Sequence, residues 1–183
     1  MAQFEIHDET TAPDSSRLRL SDVKSAIGFI PNLYGALAES PAVFAAYTTV
    51  AALLDKTSLT GAEVQVVLLT ASEENGCQYC LAAHSGLAKG AGLDDAEIAA
   101  LRSGGELADA RLQALAEFTR RVVVERGWVG EDAVDAFIAA GFTRANVLDV
   151  ILGVSLKTVS NYANHIIDTP IDEQFGGPAK SAA

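Results

Sequence analysis

The chain's two cysteines, its only ones, stand three residues apart at Cys77 and Cys80, directly behind an Asn75-Gly76 turn signal. One of its three histidines, His84, follows four residues later. On an α-helix, positions i, i+3 and i+7 fall along one stripe, so this spacing sets both thiols and the imidazole on one side of a single helix. Gly90 and Gly92 mark where that helix ends. A helix beginning at Cys77 also presents unpaired backbone N–H groups that favour a thiolate. Two thiols this close can form a disulfide, and a neighbouring imidazole can take a proton, which together meet the needs of thiol redox chemistry. Two duller readings share these residues. Both cysteines can serve as small buried hydrophobes. Alternatively, Cys77, Cys80 and His84 can bind zinc, although no second Cys or His pair completes the set.

The rest of the chain reads as helix. Thr60-Gly61-Ala62-Glu63 is a capping box for a helix through about Glu74. Pro41 suits the first turn of a helix to about Leu54, and Ser21 caps a short helix that stops before Gly28. Further helices follow at Asp94 to Arg102, Leu107 to Arg126, Glu131 to Ala140 and Thr143 to about Ile167. Nearly half of the 183 residues are apolar, aromatics are few, and β-branched runs are scarce. The expected fold is therefore all-α, a single compact domain of about eight helices. Residues 1–20 read as an N-terminal arm and residues 169–183 as a loose C-terminal tail.

A net charge of −11 repels nucleic acid and anionic membrane, so neither is an expected partner. The longest uncharged stretch, Pro41 to Leu54, falls short of the ~20 residues that span a bilayer. The start of the chain lacks both a basic segment and an apolar run, and the expected location is cytoplasmic. A close cysteine pair there suggests catalysis or metal binding rather than a structural staple.

Thr60-Gly61-Ala62-Glu63, followed by the run Asn75-Gly76-Cys77-Gln78-Tyr79-Cys80-Leu81-Ala82-Ala83-His84, resembles the alkylhydroperoxidase D / carboxymuconolactone decarboxylase superfamily, specifically its peroxidase-related branch. Ile30-Pro31-Asn32-Leu33-Tyr34 and Ser160-Asn161-Tyr162-Ala163-Asn164-His165 extend that likeness. The resemblance implies a small helical fold that assembles into homo-oligomers, trimers or hexamers. It implies a thiol-dependent peroxidase with peroxiredoxin-like activity; neither a cofactor nor a resident metal is expected. Cys80 would attack the hydroperoxide, Cys77 would resolve it as a disulfide, and His84 would accept the Cys80 proton. An external dithiol, lipoyl-type or thioredoxin-like, would reduce the disulfide. Lactone decarboxylase-type or other carbon-acid chemistry is one alternative function, and a non-catalytic redox sensor is another.

One position departs from the family pattern. Where relatives carry a relay glutamate, twelve residues before the first cysteine, this chain has Gln65, which hydrogen-bonds but accepts no proton. Glu73, four residues before Cys77, is either a substitute relay acid or an ordinary solvated glutamate. Tyr79 is a packing residue or a lining of the pocket mouth. Asn161 and His165 are candidates for a polar wall on the last long helix. Trp128 reads as a packing residue near a helix end.

Overall fold

The computed structural model describes residues 4–178. Among these, nine α-helices run in the order α1 (Asp14–Ile27), α2 (Asn32–Leu37), α3 (Pro41–Leu54), α4 (Gly61–Glu74), α5 (Gln78–Gly90), α6 (Asp95–Ser103), α7 (Ala110–Val124), α8 (Glu131–Ala139) and α9 (Arg144–Ile167). A 3-10 turn at Glu173–Phe175 follows, and the described residues contain no strand. The all-α expectation holds. No single helix among these residues is long and apolar enough to cross a membrane.

Local chemistry sets the boundaries. Thr60 and Glu63 form the reciprocal capping box at the start of α4, and Thr143 with Asn146 does the same for α9. Asp94 and Glu97 cap α6. Helix α4 lies at the centre, against α5, α6, α7 and α9, and is apolar on most of its circumference: Val66 to Ala71 are all buried. One side, with Val66 and Leu69, meets a core that includes Leu115, Phe118, Phe137 and Phe142. In it the Phe137 ring stacks between Phe118 and Phe142, with centroids 4.4 and 4.3 Å away. The other side, through Leu68, meets a core built from α1, α2, α3, α5 and α9, and both cysteines belong to it. The α4–α9 crossing depends on Gly153: a Cβ there would stand 2.7 Å from Val67 Cγ1.

Four local expectations need correction. Helix α1 starts at Asp14, behind Pro13 at its cap, rather than near Ser21, and it buries Leu20. The arm therefore ends earlier than expected and is tied down. His7 is buried and bonded through Nε2 to Glu39 Oε2 at 2.7 Å, and its backbone runs so close to α2 that a Cβ on Gly35 would meet the His7 carbonyl oxygen at 2.6 Å. Helix α2, only six residues long, is an element the sequence reading lacked. The tail is not loose where it is described: Thr169 and Asp172 are buried, and Phe175 packs edge-on against Phe29 and Tyr79. Trp128 is 88% exposed rather than packed, because left-handed turns at Arg126 and Gly127 carry the chain outward after α7. Residues 1–3 of the expected arm and 179–183 of the expected tail lie outside the described residues.

Candidate active site

Cys77 is the N-cap of α5, and its extended backbone (φ −84°, ψ 94°) places it just outside the first turn. Its N–H donates to Ser72 O at 2.9 Å, and left-handed Gly76 closes the turn that connects α4 to α5. Asn75 Nδ2 donates to Asn161 Oδ1 at 2.9 Å, so α9 holds this turn from behind. Cys80 sits one helical turn inside α5. The two thiols are only 1% and 2% exposed and are free rather than disulfide-bonded.

Both sulfurs share one donor. Asn164 Nδ2 lies 3.4 Å from Cys80 Sγ and 3.7 Å from Cys77 Sγ. Cys80 Sγ is also 3.7 Å from Ser160 Oγ. The Cys77 thiol donates to the Cys80 sulfur, and that bond, with the charge of Lys157 and contacts from Ser160 and Asn161, holds Cys80 well below the usual thiol range despite burial. The same bond, then burial and the charge on Cys80, push Cys77 up. The pair is thus polarised, with a thiolate at Cys80 and a thiol at Cys77.

Lys157 is fully buried, lines the same cavity as Cys80 and His84, and its charge acts on the sulfur pair. Its Nζ is 2.7 Å from His84 Nε2. On the other side of the ring, His84 Nδ1 is 2.9 Å from Gln65 Oε1. An amide oxygen only accepts, so Nδ1 carries the hydrogen and Nε2 is left as an acceptor for the lysine. Burial, then the Lys157 charge, push His84 well below its ordinary pKa and keep it neutral. Burial also lowers Lys157, against the opposing pull of Cys80 and Cys77.

A cavity of about 160 Å³ opens onto Cys80, His84 and Lys157. Tyr34, Tyr47, Tyr79, Leu33, Leu87 and Phe175 make most of its wall. Tyr79 is buried, and its hydroxyl donates to Asp172 Oδ2 at 2.5 Å while accepting the Leu33 N–H at 3.2 Å. Burial first, then the bond to Asp172, raise the phenol far above its usual range. Asp172 also accepts the Asn32 N–H at 3.0 and 3.1 Å, so one tail carboxylate joins α2, α5 and the pocket wall.

The structure therefore brings together Cys77, Cys80, His84, Gln65, Tyr79 and Asn161 from the sequence reading. It leaves out two others. The Glu73 carboxylate lies beside Gly104 at the end of α6, where a Cβ on that glycine would meet it at 3.1 Å, and burial followed by Glu74 raises its pKa. It is not placed to relay a proton from the thiols. His165 is exposed on the far face of α9 and forms no wall. Three residues were missed: Lys157, Ser160 and Asn164. With Asn161 they occupy positions i, i+3, i+4 and i+7 of α9, all buried. A polar stripe at helical spacing between apolar residues was the available signal. Among the described residues no group of three His, Cys, Asp or Glu side chains is arranged to hold a metal ion, and His84 turns to Gln65 and Lys157 rather than to the sulfurs.

Residues 41–120 match the carboxymuconolactone decarboxylase family. Among curated proteins, no sequence matches the chain. The fold is similar to the alkylhydroperoxidase AhpD core of an uncharacterized peroxidase-related protein from Ralstonia eutropha JMP134, with a TM-score of 0.85 and 24% identity over 94% of this chain and 93% of that one. A peroxidase-related protein from Silicibacter sp. TM1040 superposes with a TM-score of 0.81 and 18% identity, over 95% and 92% of the two chains. The debrominase Bmp8 C82A, in complex with 2,3,4-tribromopyrrole, gives 0.78 and 12% over 96% and 94%. In its cysteine motif, in the segment that matches the family and in its fold, the chain is similar to the alkylhydroperoxidase D / carboxymuconolactone decarboxylase superfamily.

Proposed function

We propose that this protein is a thiol-dependent peroxidase that reduces small organic hydroperoxides or hydrogen peroxide. The observation that carries this reading is the polarised sulfur pair at the end of a mostly apolar cavity. The Cys80 thiolate attacks one peroxide oxygen, the O–O bond breaks, and the alcohol or water leaves after protonation. Cys80 becomes a sulfenic acid. The Cys77 thiol then attacks that sulfur, giving the Cys77–Cys80 disulfide and one water. An external dithiol of lipoyl or thioredoxin type restores both thiols by exchange. The roles follow from polarisation: the deprotonated sulfur is the nucleophile, and the one held as a thiol waits to resolve it. We also assign the exposed apolar stripe Leu148, Ile151, Tyr162 and Ile166 on α9 to contact between copies in a homo-oligomer.

A second reading rests on the aromatic walls. Tyr34, Tyr47 and Phe175 suit a flat ring, and the same two thiols can deliver two electrons to a carbon–halogen bond, as the likeness to a debrominase suggests. Purified protein given either hydrogen peroxide or a bromopyrrole separates the two. Peroxide loss with disulfide formation supports the first reading, and bromide release without peroxide consumption replaces it with the second.

A further inference from the structure

The Cys80 proton needs an acceptor, and His84 is not free to be that acceptor. Its Nδ1–H is committed to Gln65 Oε1, and its Nε2 accepts from Lys157 Nζ. Lys157, whose Nζ is 2.7 Å from the imidazole, lines the same cavity as Cys80 and interacts with its sulfur. Lys157 is fully buried, and among the described residues no carboxylate pairs with it. The titratable groups around it are Cys80, Cys77 and His84, with Tyr34 and Tyr47 across the cavity; Gln65 on α4 is uncharged.

A buried ammonium without a counter-charge is strongly disfavoured, and so is a buried thiolate. The two together are acceptable, as are a neutral amine and a neutral thiol. Lys157 and Cys80 thus hold one proton between them. We propose that Lys157 is the catalytic acid–base of this site: it takes the Cys80 proton and returns it to the leaving oxygen, while His84 positions it. The identity of the leaving oxygen rests on the peroxidase reading, whereas the proton exchange with Cys80 does not.

The steps balance. Cys80 S–H and Lys157 amine give thiolate and ammonium. The thiolate sulfur bonds to one oxygen of the hydroperoxide, and the O–O electron pair leaves with the other. The Lys157 ammonium protonates that alkoxide or hydroxide and becomes neutral. Cys77 S–H then forms the S–S bond, and its proton leaves with the sulfenic oxygen as water. This arrangement also gives a reason for Gln65. A carboxylate there would draw a proton onto His84 and set an imidazolium against the ammonium. The neutral amide keeps Nε2 available as an acceptor for the lysine.

Diamide, which takes two electrons and two protons from a dithiol, tests the claim without any peroxidase activity. The reaction is followed with a pH indicator in weak buffer at pH 7. Wild-type protein is expected to take up no net proton per disulfide, because Lys157 supplies the second one. Lys157→Arg, whose guanidinium cannot deprotonate, is expected to take up one, and His84→Gln none. One proton in the wild type, none in Lys157→Arg, or one in His84→Gln would each overturn the proposal. Should Lys157→Arg fail to fold, Lys157→Met is read by thiolate absorbance. Its Cys80 midpoint should rise by about two pH units or more, and an unchanged midpoint would overturn the claim. With peroxide, Lys157→Arg should lose about tenfold or more in rate. A wild type that forms the disulfide with diamide but consumes no peroxide removes the peroxidase reading and leaves the lysine result standing.

Discussion

Asn164 Nδ2 bridges the two sulfurs, 3.4 Å from Cys80 and 3.7 Å from Cys77. One side chain of α9 therefore fixes the geometry between two thiols carried at the start of α5. This is the link between the fold and the chemistry, since disulfide formation needs the sulfurs held together and a thiolate needs a donor when buried.

The polarisation of the pair predicts different fates for its members. Cys80→Ser should lower peroxide consumption by at least about a hundredfold, because the nucleophile is gone. Cys77→Ser should consume one equivalent and stop at a sulfenic acid, trapped by dimedone on Cys80 and located by mass spectrometry. Trapping on Cys77 in the reverse variant, with none on Cys80, would invert the assignment.

His84 makes folding pH-dependent in a definite direction. Its native pKa is depressed, so the folded protein holds it neutral where the unfolded chain, with a pKa near ~6.5, begins to protonate. The unfolded state then binds more protons, and stability falls as pH drops below about 6.5, by at most ~1.4 kcal/mol per pH unit from this group. Urea denaturation at pH 7 and pH 5 should show a smaller loss in His84→Gln than in the wild type. Equal losses would contradict the neutral imidazole.

Asp172 joins the tail to the pocket through Tyr79 and the Asn32 N–H. Asp172→Ala leaves these donors without their carboxylate and should cost about 2–3 kcal/mol in denaturant midpoint analysis. The same variant should speed iodoacetamide alkylation of Cys80, because Phe175 loses its anchor over the cavity.

Gln65→Glu tests why the relay lacks an acid. A carboxylate 2.9 Å from Nδ1 would raise the His84 pKa and repel the thiolate. The expected outcome is a Cys80 titration midpoint moved upward and a peroxide rate reduced about tenfold at pH 7. A faster enzyme would mean that His84 normally has to carry the proton itself.

The helices legible in the sequence were those with strong local signals. Thr60-x-x-Glu63 and Thr143 announce their caps, and Cys77, Cys80 and His84 sit within one short segment whose spacing alone implies a shared face. What was hidden depended on distance along the chain. Lys157 is 73 residues from the histidine it touches, and a lysine on a helix ordinarily reads as solvated. Asn164 and Ser160 lie in a segment that carries the family likeness, but nothing local says that they face sulfur. Glu73 and His165 failed for the reverse reason: each is near a site residue in sequence, and helix rotation turns each away. The prolines and glycines of the tail read as a loose segment, yet a carboxylate, Asp172, ties it to α2 and α5.

The central claim is that Cys77 and Cys80 form one redox couple driven by hydroperoxide. Free thiols are counted before and after one equivalent of hydrogen peroxide, and again after a dithiol. The expected sequence is two, none, two. Two thiols that persist through peroxide, with the protein folded and the cavity accessible to iodoacetamide, would contradict it.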